Sequence, residues 1–96
     1  MPEMTFLVRW PDGTEASCYS PSLVMHDYLT TGGVYPVDEF VSRSTEALGV
    51  ASVRVAERYG FACTSALAQA DEIRSAASAF AVGSVEILRM EPGLPA

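Results

Sequence analysis

The chain contains no lysine, only one histidine and only one tryptophan among its 96 residues. The absence of lysine excludes Schiff-base chemistry and a P-loop lysine, because both depend on its amine. All six basic residues are arginines, against twelve acidic residues, so the formal net charge is −6. A surface that binds nucleic acid or an anionic membrane needs a basic stripe, and this charge balance argues against both partners.

Long apolar runs are also missing. No stretch approaches the ~18 apolar residues that a membrane-spanning helix needs, and no basic-plus-apolar leader opens the chain. We therefore expect a cytoplasmic protein without a membrane partner. In that compartment its two cysteines, Cys18 and Cys63, are expected to be reduced thiols.

The length predicts one α+β domain over residues 1–91, followed by a mobile tail over residues 92–96. The composition, 49% hydrophobic and 19% charged, is typical of a folded globular chain. A chain of this size buries only about two-thirds of its unfolded surface. The core is therefore modest, and a binding partner could add to the buried surface.

The longest helical pattern runs from Pro36 to Gly60. Pro36 suits a first helical turn, because its missing N–H is not needed there, and Gly60 suits the left-handed residue that ends a helix. Apolar residues recur at helical spacing along one side, which we expect to face the core. These residues are Val37, Phe40, Val41, Leu48, Ala51, Val55 and Tyr59.

Alternating residues near both ends of the chain indicate strands. Residues 5–10 alternate with period two, Pro11-Asp12-Gly13 forms a turn cluster, and residues 14–19 alternate again, which predicts a hairpin. Residues 84–90 predict a third strand, which we place beside the first strand because the second leads directly into the helices.

Two further helices complete the prediction. Ser20 is expected to cap a short helix over residues 23–29, and a third helix begins at Cys63 or Thr64 and runs to about Phe80. Its predicted core face is Ala66, Leu67, Ala70, Ile73, Ala77 and Phe80. The predicted fold is thus α+β, a three-stranded antiparallel sheet covered on one face by the short helix and an antiparallel helical hairpin.

Cys18 and Cys63 are the candidate thiols for a redox or nucleophilic role. Cys63 falls at a predicted helix start, where the pKa of a thiol is lowered. We prefer the interpretation that both are small apolar core residues, since no CxxC motif is present and His26 is distant in sequence.

Other catalytic and metal motifs are missing. His26 and Asp27 are adjacent, so on a helix they point about 100° apart and cannot readily pair. The chain has no glycine-rich nucleotide loop, no nucleophile elbow, no HExxH motif and no EF-hand spacing. We therefore predict no catalytic residue beyond the candidate thiols, no cofactor and no metal, and we consider an enzyme the less favoured class.

The side of the long helix opposite its core stripe predicts an interface. Val50 and Val53 form a small apolar patch within a charged stripe. In a two-fold contact the charges could pair across the axis around the buried valines, so we predict a homodimer. The predicted interface residues are Glu39, Arg43, Glu46, Val50, Val53 and Glu57.

Five short segments form a recognisable set: residues 1–4 (MPEM), 6–13 (FLVRWPDG), 18–22 (CYSPS), 35–37 (YPV) and 59–63 (YGFAC). Together they resemble the small bacterial nitrogen-starvation-response proteins. The resemblance covers roughly residues 1–80. It implies a gene cluster with a nitrilase, a radical-SAM protein, an acetyltransferase and a flavin-dependent oxidoreductase. It implies no established catalytic residue, although both cysteines lie within the matching segments.

The sequence thus predicts a non-catalytic accessory or interaction subunit of a bacterial nitrogen-assimilation pathway, with a protein partner from that pathway. Two alternatives remain open at this point. One is a small thiol-dependent redox protein or enzyme that uses Cys18 and Cys63. The other is a small-ligand sensor with its pocket between the hairpin and the helices.

Overall fold

The computed structural model describes residues 3–61 and 64–93 of the chain. The elements in chain order are β1 (Met4–Arg9), β2 (Glu15–Ser20), the 3₁₀ helix (Leu23–Asp27), β3 (Val34–Pro36), α1 (Val37–Tyr59), α2 (Thr64–Ala77) and β4 (Ser84–Glu91).

Within the described residues the sheet has four strands in the order β2-β1-β4-β3, and every neighbouring pair is antiparallel. The placement of β4 beside β1 is as predicted. The prediction of three strands was wrong, because β3 pairs with β4 at the edge of the sheet. Two backbone hydrogen bonds continue this pairing, from Gly32 N–H to Ile87 O and from Ile87 N–H to Gly33 O.

The hairpin turn between β1 and β2 is held by backbone geometry and by one carboxylate. Gly13 has a φ of 89°, which favours glycine. The Oδ1 atom of Asp12 accepts hydrogen bonds from the Thr14 hydroxyl at 2.6 Å and from the Thr14 N–H at 3.0 Å. These two bonds stabilise the charged carboxylate, so they lower the pKa of Asp12.

One face of the sheet forms the core with the helices. Met4, Phe6 and Val8 of β1 are buried. On β4 the buried positions change phase, from Val85 and Ile87 to Met90. The reason is an irregular pairing, in which Leu7 is opposite Arg89 while Val8 is opposite Ile87, so β4 contains one extra residue. Trp10 completes the core, with its ring 5.5 Å from that of Phe40 and stacked at 5.8 Å on that of Phe80.

Helix α1 begins after Pro36 and ends at Gly60, whose φ is 81°. Most of the predicted core stripe is buried, including Phe40, Leu48 and Ala51. Tyr59 is an exception, since it is 51% exposed, and its placement in the core was wrong. The sequence reading also missed two buried serines. Ser44 is one of them, and its hydroxyl donates to Phe40 O, 2.7 Å away, which makes burial of that polar group tolerable.

Helix α2 ends at Ala77, one turn earlier than predicted, and Phe80 follows in an irregular segment. Ala66, Ala70 and Ile73 are buried as expected, but Leu67 is 48% exposed and does not belong to the core. A single cleft is lined by the first residues of α1 and the last residues of α2. The two helices therefore run antiparallel, as predicted.

The short helix differs from its prediction in type, length and cap. It is a five-residue 3₁₀ helix, and its cap is Ser22, whose side chain accepts the N–H of Val24. The predicted cap, Ser20, instead bonds the backbone of Ser22. At the other end of the chain, the predicted tail over residues 92–96 lies partly outside the described residues, and its mobility stays a prediction.

No helix within residues 3–61 and 64–93 is both long enough and apolar enough to cross a membrane.

Candidate functional site

The thiol of Cys18 lies on the inner side of β2, where it is 4% exposed. Burial raises its pKa to about 12, and the negative charge of Glu72 on α2 acts in the same direction. A nucleophilic or redox-active thiol needs the opposite surroundings, electropositive and partly exposed. Cys18 is therefore a protonated core residue at neutral pH. Cys63 lies outside the described residues, so whether the two candidate thiols lie near each other is not tested.

A small cavity of about 200 Å³ lies where the ligand-sensor alternative placed its pocket, between the hairpin and α2. Trp10, Cys18 and Ile73 are among the residues that line it. Pockets for small ligands usually measure roughly 300–1,000 Å³, so this cavity is too small for most metabolites. Beside it, the side chain of Gln69 accepts the backbone N–H of Tyr19 at 3.0 Å and joins α2 to the edge of β2.

His26 is a structural residue in this fold. Its Nε2 atom lies 2.9 Å from Pro92 O, so the ring links the 3₁₀ helix to the segment that follows β4. Asp27 beside it is exposed. In the part of the chain that the structure describes, no group of three or more His, Cys, Asp or Glu side chains is arranged to hold a metal ion.

The predicted interface on α1 divides into two parts. Arg43 and Glu39 form an ion pair at 3.1 Å. The guanidinium of Arg43 also donates to Tyr28 O at 3.1 Å and lies over the ring of Tyr35, 5.1 Å from its centroid. Arg43 thus fastens α1 to the segment before it. The remaining part is Glu46, Val50, Val53 and Glu57, in which Val53 is 56% exposed and Val50 is half-buried.

The turn between α1 and α2 carries exposed apolar side chains that the sequence reading did not single out. Phe61 is 68% exposed, and its ring lies 6.4 Å from that of Tyr59. Leu67 is exposed on the beginning of α2. The guanidinium of Arg58 is 5.8 Å from the centroid of the Tyr59 ring. We call Tyr59, Phe61 and Leu67 the turn surface. The sequence offered no clear signal for this surface, since Tyr59 and Leu67 have the helical spacing of core residues.

The opposite end of the helical pair contains a larger cleft of about 690 Å³. It lies between the first residues of α1, the last residues of α2 and residues 80–83. Its lining is largely aliphatic, with one acidic and one basic side chain, Asp38 and Arg74. The sequence reading did not find this cleft, because its walls come from segments more than thirty residues apart.

Comparisons with known proteins agree with the resemblance noted above. No curated protein and no solved structure matches the chain. A family model described as nitrogen starvation-induced protein NitG matches residues 5–90, which include every helix and nearly all of the sheet. The chain therefore belongs to the NitG family of nitrogen starvation-induced proteins.

Proposed function

We propose that this protein is a non-catalytic accessory subunit of a bacterial nitrogen-assimilation pathway, and that it works in the cytoplasm by binding a protein partner. Membership of the NitG family supports the link to nitrogen starvation. Candidates for the partner are the enzymes that the resemblance places in the same gene cluster: the nitrilase, the radical-SAM protein, the acetyltransferase and the flavin-dependent oxidoreductase.

The observation that carries this proposal is the turn surface. Tyr59 and Phe61 leave 51% and 68% of their surface in water, although aromatic side chains gain most from burial. Aromatic residues are enriched in the centres of protein interfaces, where a few of them supply most of the binding energy. Leu67, near the start of α2, is a further exposed apolar side chain. A partner that covers these side chains would bury their exposed apolar surface, which favours binding.

Charge indicates what kind of partner surface fits. The chain has a net charge of −6, so a basic partner surface would be attracted at long range. The Arg58 side chain over Tyr59 adds a local cation at the turn surface. We therefore expect an apolar pocket with a predominantly basic rim and an acidic group close to Arg58.

The test is co-purification from a nitrogen-starved native host. Phe61→Ser combined with Leu67→Ser should lose the partner, because two of the three apolar side chains of the turn surface are removed. The control is Val34→Ser, which removes an exposed apolar side chain outside both the turn surface and the cleft. This control should keep the partner, and thermal melts should show that both variants are folded.

Two results would contradict the proposal. A partner that the turn-surface variant retains at wild-type yield would place the contact elsewhere. Catalytic turnover by the purified chain on its own would assign it to a different functional class.

A further inference from the structure

The cleft of about 690 Å³ at the end of the helical pair opposite the turn surface has the size of a small-molecule site. Such sites typically combine an apolar lining with a few polar groups that orient the ligand. This cleft has both. Asp38, Arg74 and Ser78 are polar, and most of the other lining residues are aliphatic or aromatic.

The walls of the cleft are held in place by the protein itself. Phe80 stacks on Trp10, which is part of the core. Gly83 accepts the N–H of Val37 at 3.1 Å and so joins the segment before β4 to the start of α1. At Gly83 a φ of 110° and the approach of Pro11, whose Cβ would lie 2.7 Å from an added Cβ, leave room only for glycine. The cleft is therefore formed in advance of any ligand.

The apolar residues that line the cleft favour binding of an aliphatic ligand group. Val37 and Ala77 are buried at its base, while Val41 and Phe80 are half-buried. Val82, which also lines the cleft, is one of the most exposed apolar side chains of the described residues. An aliphatic side chain placed among these residues would remove their remaining apolar surface from water.

Two side chains of opposite charge line the same cleft. Asp38 belongs to the first turn of α1, and Arg74 belongs to the last turn of α2. In the described residues the ion pair of Arg74 is with Asp71, at 3.1 Å, and both side chains of that pair are well exposed. Exposed pairs of this kind are weak, so Arg74 can exchange its partner at little cost.

Asp38 lies at the N-terminus of α1, whose partial charge is positive, and Arg74 lies at the C-terminus of α2, whose partial charge is negative. Each partial charge has the opposite sign to the side chain beside it, but it is smaller. The N-terminus of a helix carries roughly half a positive charge, whereas an ionised carboxylate carries a full negative one. Asp38 therefore gives its part of the cleft a net negative charge. Arg74 is balanced by Asp71 and becomes available when a ligand carboxylate displaces that side chain. A simple anion such as phosphate meets repulsion from Asp38, and a simple cation has no group that can pair with Arg74.

We propose that this cleft binds an aliphatic α-amino acid as its zwitterion. The ammonium group pairs with Asp38, the carboxylate pairs with Arg74, and the side chain lies against Val41, Ala77 and Phe80. This inference goes beyond the accessory role and does not rest on it, since the turn surface is at the other end of the helices. It gives the protein a means to respond to a nitrogen-containing metabolite.

The test is an NMR titration of the full chain with L-leucine, followed through backbone amide shifts. We expect saturable shifts at Val41, Ala77, Phe80 and Val82. Alanine should bind more weakly, because each buried methylene contributes roughly a factor of four in affinity. Leucine amide, which lacks the carboxylate, and N-acetyl-leucine, which lacks the ammonium, should each bind more weakly than leucine.

Two charge-removing variants test which side chain pairs with the ammonium group of the ligand and which pairs with its carboxylate. Arg74→Gln should weaken leucine binding about fivefold, as expected for loss of an exposed ion pair, and should not weaken binding of the cation leucine amide. Asp38→Asn should weaken leucine binding by a similar factor and should not weaken binding of the anion N-acetyl-leucine. The matched control is Arg54→Gln, on an exposed part of α1 outside the cleft, which should bind leucine as the wild type does.

Each contrary outcome overturns the proposal. Absence of saturable shifts up to about 10 mM leucine would mean that the cleft is not an amino-acid site, since weaker binding exceeds the range of metabolite sensing. Shifts confined to the turn surface would place the binding elsewhere. Equal affinity for leucine, leucine amide and N-acetyl-leucine would show that the two charged groups are not recognised.

Discussion

The surroundings of the Cys18 thiol determine its protonation and therefore its reactivity. Its sequence context, in a strand and within a segment that resembles the family, left a redox role open. The structure places the thiol between β2 and α2, with Glu72 nearby. Both burial and the neighbouring negative charge disfavour the thiolate, so the thiol is a packing group. Cys63 is not decided by this argument, because it lies outside the described residues.

The first prediction follows from the pKa of Cys18, which is raised from 9.0 to about 12. The folded protein holds this proton more tightly than the unfolded chain. The thiol therefore stabilises the fold fully below pH 9, and this contribution is lost as the pH rises from about 9 to about 12. Within that window the free energy of unfolding should fall by up to about 1.4 kcal/mol per pH unit from this group.

The measurement is urea denaturation of wild type and of Cys18→Ala across that range. Every other ionisable group is present in both proteins, so the difference between their free energies of unfolding reports on the thiol alone. The stability advantage of the wild type should shrink as the pH rises. A difference that stays constant from pH 8 to pH 11 would show that the thiol is not held in a protonated state by the fold.

The elements that the sequence predicted best are those with long, regular patterns. Helix α1 has more than six turns, and a stripe recurring over that length indicates its core side whatever the tertiary context. The β1–β2 hairpin was also predicted from its sequence, because apolar and polar residues alternate on both sides of a Pro-Asp-Gly turn. Strand β3 was missed for the converse reason. It has three residues and includes a proline, so it is specified by its pairing with β4 and carries no pattern of its own.

The errors at the ends of the helices have a related cause. Tyr59 and Leu67 have the spacing of core residues, but each is about half exposed near the end of its helix that adjoins the turn. Periodicity reports which side of a helix a residue is on, and it does not report whether anything packs there. The cleft that contains Asp38 and Arg74 was beyond sequence reasoning for the same reason, since it depends on how the two helices are placed against residues 80–83.

The second prediction tests the orientation of α1. Leu48→Ala should destabilise the fold by about 2–5 kcal/mol, because Leu48 is fully buried and truncation leaves a cavity. Val53→Ala, on the opposite side of the helix, should cost less than about 0.5 kcal/mol, as surface substitutions usually do. Chemical denaturation under dilute, monomeric conditions gives both values. Similar losses for the two variants would mean that α1 presents a different side to the sheet.

At the scale of the whole molecule, both edges of the sheet are poorly suited to pairing with another strand. On β2 the N–H of Tyr19 is bonded by Gln69. On the other side β3 has only three residues and ends in Pro36, which has no N–H to donate. Self-association of this chain should therefore use side chains of the helical layer. Val50 and Val53 on α1 are the predicted apolar centre of such a contact.

Geometry limits how strong such a homodimer can be. Glu46 and Glu57 lie at equal distances along α1 from the centre of the valine pair. A two-fold axis at that centre therefore places glutamates near glutamates, whether the two helices run parallel or antiparallel. Arg43 is engaged within its own chain and leaves this repulsion largely uncompensated. Two valines also fall far short of the roughly 800 Å² per partner that a stable interface buries.

The third prediction is accordingly a weak homodimer that salt strengthens. We expect sedimentation equilibrium to show a largely monomeric chain at low salt and a growing dimer fraction at roughly 100 µM protein in 0.5 M NaCl, because salt screens exposed like charges. Glu46→Gln with Glu57→Gln should reproduce the effect at low salt. Val50→Glu with Val53→Glu should abolish the dimer in every buffer, since it buries further carboxylates at the contact.

A monomer under all these conditions would exclude α1 as a self-association surface. A tight dimer that persists in the Val50→Glu, Val53→Glu variant would instead assign the contact to the turn surface, where Phe61→Ser should then dissociate it.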